Sequence, residues 1–279
     1  MSDPSPVSPD ALAALRGEID TLDDQMHALL MRRAEVVARL AASGIKRGAA
    51  SPLRPGREAL ILRRLLARHA GTLPRAAVVR LWREIFATSS AMQGGFTVAV
   101  HADRPEQVQV AREHFGIGTP LRSLPTAARA LAAVANGEAQ VAVLPLPEEG
   151  EAADRLWWAS LEAPRLQVVA RLPFYAAGEP VTEALAVTPG AADPSGADRT
   201  LIRIEAEENR SRSQIAAALT AAGLPPGLLQ LHRGPGRLLA LAEVAGFVQQ
   251  GDPRLAALGV HQAIPLGSYA VPERGDPGQ

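Results

Sequence analysis

Between Leu12 and Leu40 the residues Leu12, Leu15, Ile19, Leu22, Met26, Leu29, Arg33, Val36 and Leu40 recur at alternating steps of three and four. That period lines one seam of a single continuous helix. Ser8 offers a cap, Pro9 suits the first helical position, Asp10 meets the positive helix end, and only Gly17 interrupts the run before Gly44. The spacing predicts a rod roughly 50 Å long. The short helices that follow cannot cover such a seam, so a second copy of the chain is expected against it. Arg33 is the anomaly, because burying an unpaired guanidinium costs several kcal/mol. A carboxylate, from the protein or from a ligand, is expected to meet it. Arg16 beside the same seam raises the same question, with snorkelling to solvent as the alternative for both arginines.

Charge and composition narrow what that anion can be. The 279 residues carry no net charge, yet residues 1 to 95 hold 14 basic and 9 acidic side chains, leaving 15 and 20 of the 29 of each kind for the rest. The first segment therefore favours an anion. With Trp82 and Phe86 its only large rings before Phe96, the segment lacks the aromatic interleaving of a nucleic-acid surface, and a small anionic ligand fits better. No cysteine is present, which excludes a disulfide framework and a thiolate metal site. The start lacks a basic, apolar signal pattern and no run of about 18 apolar residues occurs, so the expectation is a cytoplasmic protein without membrane contact. Of the 29 basic residues only Lys46 is a lysine, which marks it as a candidate for a compact point charge.

Along the chain, Gly, Ala, Ser and Pro fill the connection from Ala41 to Pro55, and a second helix is predicted from Gly56 to about Ala70. A third follows from Arg75 to Gln93, with Val78, Trp82, Ile85, Ser89 and Met92 on one stripe. From Phe96 the pattern alternates between strands and helices: strands at Phe96 to Val100, Gln140 to Leu146, Leu166 to Leu172 and Ala184 to Thr188, helices at Pro105 to Phe115 and Pro125 to Asn136. Pro189 to Asp198 reads as a linker. The remainder reads strand, helix, strand, strand, short helix, strand between Thr200 and Ala270, the βαββαβ order of a ferredoxin-like module, followed by a disordered tail from Pro272.

Seven polar residues stand on or beside the apolar faces of the first segment: Arg16, Arg33, Lys46, Arg57, Glu58, Ser89 and Gln93. Four cations and three hydrogen-bonding groups suit a dianion that bears a hydroxyl. Leu15-Arg16 followed by Ile19-Asp20 and Leu22-Asp23, then Leu29 to Arg33, Arg54-Pro55-Gly56-Arg57-Glu58, and Ser89 with Gln93 together resemble the all-α chorismate mutase family over residues 8 to 95. The resemblance implies a three-helix domain in an intertwined homodimer with shared active sites and no cofactor. It also implies that Arg33 and Arg57, with Arg16 from the partner chain, bind the two carboxylates of chorismate, and that Lys46 and Gln93 meet its ether oxygen, Arg47 being the competitor of Lys46. Glu58 would accept from the substrate hydroxyl and Ser89 would assist at a carboxylate.

The later part resembles a prephenate dehydratase over Ala130 to Pro147, but Leu146 to Gly150 stands where that enzyme has a Glu-Asn-Ser run, and no Thr-Arg-Phe segment is present. Its last part is similar to an ACT-type module, closing with Leu266-Gly267-Ser268-Tyr269. The expected organisation is a mutase domain over residues 1 to 95, an α/β domain over 96 to 190 and an ACT-like module over 198 to 272. The expected activity is the isomerisation of chorismate to prephenate on the shikimate route to aromatic amino acids, with a degenerate dehydratase-like region and an aromatic amino acid as candidate effector. Two alternatives stand beside it: an isochorismate pyruvate lyase-type enzyme, and an inactive regulator that senses an amino acid.

Overall fold

The computed structural model describes residues 8–43, 53–178 and 182–275. The chain divides into two compact units, residues 1–48 and 49–279. Helix α1 (Pro9–Ala42) dominates the first and runs 34 residues without a break. Its start is built as the sequence predicts: Ser8 Oγ accepts from the backbone N–H of Ala11 at 3.2 Å, and Pro9 and Asp10 fill the first turn. No residue of α1 is buried. The apolar residues of the seam lie open to solvent, from Leu40 at 42 % to Leu29 at 66 % exposure.

The second unit opens with α2 (Pro55–Arg68) and α3 (Arg75–Ala91). Ala59, Leu62 and Leu66 of α2, spaced by three and four, pack with Val79 and Phe86 of α3 against Phe174 and Ala270. The inward stripe of α3 is Val79, Arg83, Phe86 and Ser90. It borders the stripe expected from sequence, on which Val78 is buried too, Trp82, Ile85 and Ser89 are half-buried and Met92 is exposed.

Among the described residues eleven strands and four further α-helices follow: β1 (Val98–Val100), α4 (Pro105–Phe115), β2 (Leu121–Ser123), α5 (Ala127–Ala135), β3 (Val141–Pro145), β4 (Leu166–Leu172), β5 (Tyr175–Ala177), β6 (Ala184–Pro189), β7 (Asp198–Ala206), α6 (Arg212–Ala221), β8 (Pro226–Gly234), β9 (Arg237–Ala245), α7 (Pro253–Ala256), β10 (Gln262–Ala270) and β11 (Glu273–Gly275). Nine strands form one sheet in the order β2-β1-β3-β6-β4-β10-β7-β9-β8. The β2-β1-β3 end is parallel, and β3 is buried along its whole length, as a strand covered on both faces must be. The β10-β7-β9-β8 end is antiparallel throughout.

The two ends are joined where β10 runs parallel to β4, with Gly267 opposite Val168. Gly267 has φ +134°, and a Cβ there would lie 2.1 Å from the Val168 carbonyl oxygen, so only glycine permits the approach. Charged groups clasp the same junction: Arg171 of β4 bonds to Glu183 and Glu243, Arg199 bonds to Glu243, and the Tyr269 hydroxyl donates to Glu243.

Two expectations change. The segment read as a linker is a packed loop. Asp193 takes the first N–H groups of α2, and Ser195, 2 % exposed, accepts from Arg63 through both its carbonyl and its hydroxyl oxygen. Its composition is that of a linker, but Asp193 and Ser195 fasten it to α2. The tail expected to be disordered adds β11, parallel to β5, and Arg63 Nε bonds to Glu273 at 2.8 Å; residues 276–279 lie outside the described residues. Among the described residues no helix is long and apolar enough to cross a membrane.

Candidate active site

The first turn of α2 is assembled around a carboxylate from a distant loop. Asp193 accepts from the backbone N–H groups of Gly56 and Arg57 at 3.1 Å each, and Arg54 Nε lies 3.6 Å from it. A negative group there satisfies orphan donors and the positive end of the helix together. Gly56 is required for this docking, since a Cβ would stand 2.1 Å from the Asp193 carbonyl oxygen. Arg57 projects from that turn, exposed.

Glu58 turns the other way. Its Oε2 accepts from Arg83 Nη1 at 2.8 Å, and the two side chains are 14 % and 6 % exposed. The same Nη1 lies 3.4 Å from Nε2 of His114 on α4, and the guanidinium stands over the Phe174 ring, 5.6 Å from its centroid. Burial pulls Arg83 below its ordinary value, opposed by the charge and hydrogen bond of Glu58. His114 is held well below the usual histidine range, first by burial and then by the Arg83 charge. The imidazole is thus neutral, and the tautomer that accepts from Arg83 through Nε2 carries its proton on Nδ1.

At the end of α3, Ser89 Oγ donates to the Ile85 carbonyl at 2.6 Å, and Gln93 Nε2 donates to the Ser89 carbonyl at 2.8 Å. Both residues are half-buried and one helical turn apart. On α1, in the other unit, Arg16 is exposed and Arg33 half-buried. Lys46 and Arg47 lie outside the described residues.

Arg57 and Glu58 therefore share one turn, and Ser89 and Gln93 one helix end. The sequence reading missed Arg83 and His114. Arg83 carried a legible signal, a cation four residues after Val79 and three before Phe86 on an apolar stripe, the same argument that singled out Arg33. His114 carried none, as its partner is 31 residues away. Among the described residues no group of three or more His, Asp or Glu side chains could hold a metal ion. Elsewhere in the second unit a cavity of about 390 Å³ is lined by Leu131, Trp157, Arg203, Glu205, Arg237 and Leu239 among others.

Residues 15–94 match the family model for chorismate mutase type II. The bifunctional chorismate mutase/prephenate dehydratase of Pseudomonas aeruginosa is 33 % identical over 152 residues, covering 52 % of this chain and 41 % of that protein. The protein of the same description from Neisseria gonorrhoeae is 31 % identical over 137 residues, 49 % of this chain and 37 % of its own length. Both matches are longer than the mutase segment and so extend beyond it, yet they span less than half of each relative. The resemblance to a mutase followed by a dehydratase-like region is borne out. Among solved structures, one described as GqqA, a novel type of quorum quenching acylases, aligns with a TM-score of 0.50 at 20 % identity, over 63 % of this chain and 96 % of that one, a likeness of fold.

Proposed function

We propose that the chain is a chorismate mutase that rearranges chorismate to prephenate, the isomerase step toward phenylalanine and tyrosine. The reading is carried by the family match over residues 15–94, and the resemblance in pocket residues supports it, since Arg16, Arg33, Lys46, Arg57, Glu58, Ser89 and Gln93 all fall inside that span. Arg33 and Arg57, with Arg16 of a second copy, hold the substrate's two carboxylates; planar guanidinium groups suit this bidentate task. Glu58 accepts from the hydroxyl and Ser89 assists at a carboxylate.

In the rearrangement one C–O bond breaks as one C–C bond forms, with no proton transferred and no covalent intermediate. The protein fixes the folded conformer and stabilises charge that develops on the ether oxygen. Lys46 and Gln93 supply those donors, and the loss of one costs about 3–4 kcal/mol, on the order of a hundred-fold or more in rate.

The mutase domain occupies residues 1 to 95 of a cytoplasmic homodimer in which α1 of each copy completes the other's site. Residues 96 to 190 are a dehydratase-like α/β domain without dehydratase activity. Residues 198 to 272 are an ACT-like regulatory module with an aromatic amino acid as effector. The antiparallel order β10-β7-β9-β8, with the chain running βαββαβ, supports the ferredoxin-like part of that reading. The cavity beside Trp157 supports the effector, since it offers both signs of charge and an apolar wall.

The test is chorismate consumption by purified full-length protein, wild type beside Lys46→Ala. Prephenate as product, no phenylpyruvate, and a loss of roughly a hundred-fold or more in the variant are expected. Chorismate left untouched by the wild type would overturn the reading.

A further inference from the structure

We propose that Arg83 is the positioning residue that aims Glu58 at the substrate hydroxyl, with His114 packed against the guanidinium to hold it in place. The proposal rests on the mutase reading and deepens it.

A glutamate in the first turn of a helix has three side-chain torsions and, left to itself, samples many directions. Glu58 is held at 2.8 Å by a guanidinium that cannot follow it outward. Arg83 is 5 % exposed, stands over Phe174, and shares Nη1 with His114 at 3.4 Å. Burial, the Phe174 ring and His114 hold the guanidinium on these sides, and the carboxylate bonded to it takes its direction from it. A fixed direction is what a hydrogen bond from a substrate hydroxyl needs.

A purely structural role explains the arrangement less well. A buried ion pair is a poor way to join two helices, since well-packed apolar side chains of similar volume do as well or better. Here the pair sits in an otherwise apolar contact of Ala59, Leu62 and Leu66 with Val79 and Phe86, one residue from Arg57, which binds the substrate in the reading above. His114 fits the same purpose. As a neutral acceptor it satisfies the guanidinium without competing with Glu58 for its charge.

The test is a double-mutant cycle on the full-length chain: wild type, Glu58→Gln, Arg83→Gln and the double variant, each with kcat and KM for chorismate. Arg83→Gln is expected to lower kcat/KM about ten-fold, within the range for directly contacting pairs, and to add nothing in the Glu58→Gln background. Arg83→Lys, which keeps the charge, is expected to recover part of the loss and takes the place of Arg83→Gln in the cycle if that variant does not fold. Losses that multiply in the double variant, or an Arg83 variant as active as wild type, overturn the positioning role alone. A wild-type chain that leaves chorismate untouched overturns it together with the mutase reading.

Discussion

His114 sits where a proton would be costly: 8 % exposed, with Arg83 3.4 Å away. Arg83 and Arg80 of α3, its chain neighbour Glu113 and Arg171 of β4 line the small cavities that His114 also lines, and Glu58 lies beyond Arg83. Its value in the folded chain is depressed, while in the unfolded chain it takes a proton near pH 6.5. Between those two values the unfolded state binds the extra proton. The contribution of His114 to stability is therefore complete above about pH 6.5 and is lost as pH falls below it, with a slope of at most about 1.4 kcal/mol per pH unit. Urea unfolding of wild type and His114→Gln from pH 8 to 5 measures it. The two curves should run parallel above pH 6.5, and the wild type should fall more steeply below. Parallel curves over the whole range would show that His114 does not carry this linkage.

At the scale of elements, two glycines and one aspartate carry the docking of α2 and the joining of the sheet. Asp193→Ala removes an anionic cap from the first two N–H groups of α2 and is expected to cost about 1 kcal/mol, read as a shift in the urea midpoint. Gly56→Ala should cost more, because its Cβ would meet loop backbone at 2.1 Å and nothing flexible stands there to give way. Gly267→Ala combines a positive φ with the same kind of clash against β4, and a loss of about 2–5 kcal/mol is expected. A Gly267→Ala chain with wild-type stability would mean that β4 and β10 do not meet as described.

For the molecule as a whole, α1 sets the main prediction. Isolated helices gain little in water, and most helical stability comes from packing an apolar face. Here Leu15, Ile19, Leu22, Met26 and Leu29 are each at least half exposed along a 34-residue helix. We expect a second copy of α1 to cover them. Sedimentation of the wild type should give a dimer, and Leu22→Glu should shift it toward monomer. On the proposed mutase reading, in which Arg16 of one copy completes the site of the other, activity is expected to fall in step. A wild type that stays monomeric at all concentrations would remove the shared-site geometry.

Sequence alone determined what is written in local periods and spacings. The heptad seam of α1, its Ser8-Pro9 start, the buried run of β3 and the spacing that matches the mutase family are all set by neighbours along the chain. Tertiary structure decided what depends on contact at a distance. Two adjacent stripes of α3 were both compatible with a helical period, and the one holding Arg83 faces inward because Glu58, 25 residues away, and His114, 31 residues away, meet it there. The segment from Pro189 to Asp198 reads as a linker until Asp193 finds the start of α2, and the tail reads as free until β5 offers an edge to β11. A side chain's partner across the core leaves no mark on the residues beside it, so Arg83 is legible as a cation on an apolar stripe while its partners Glu58 and His114 become visible only when the chain is folded.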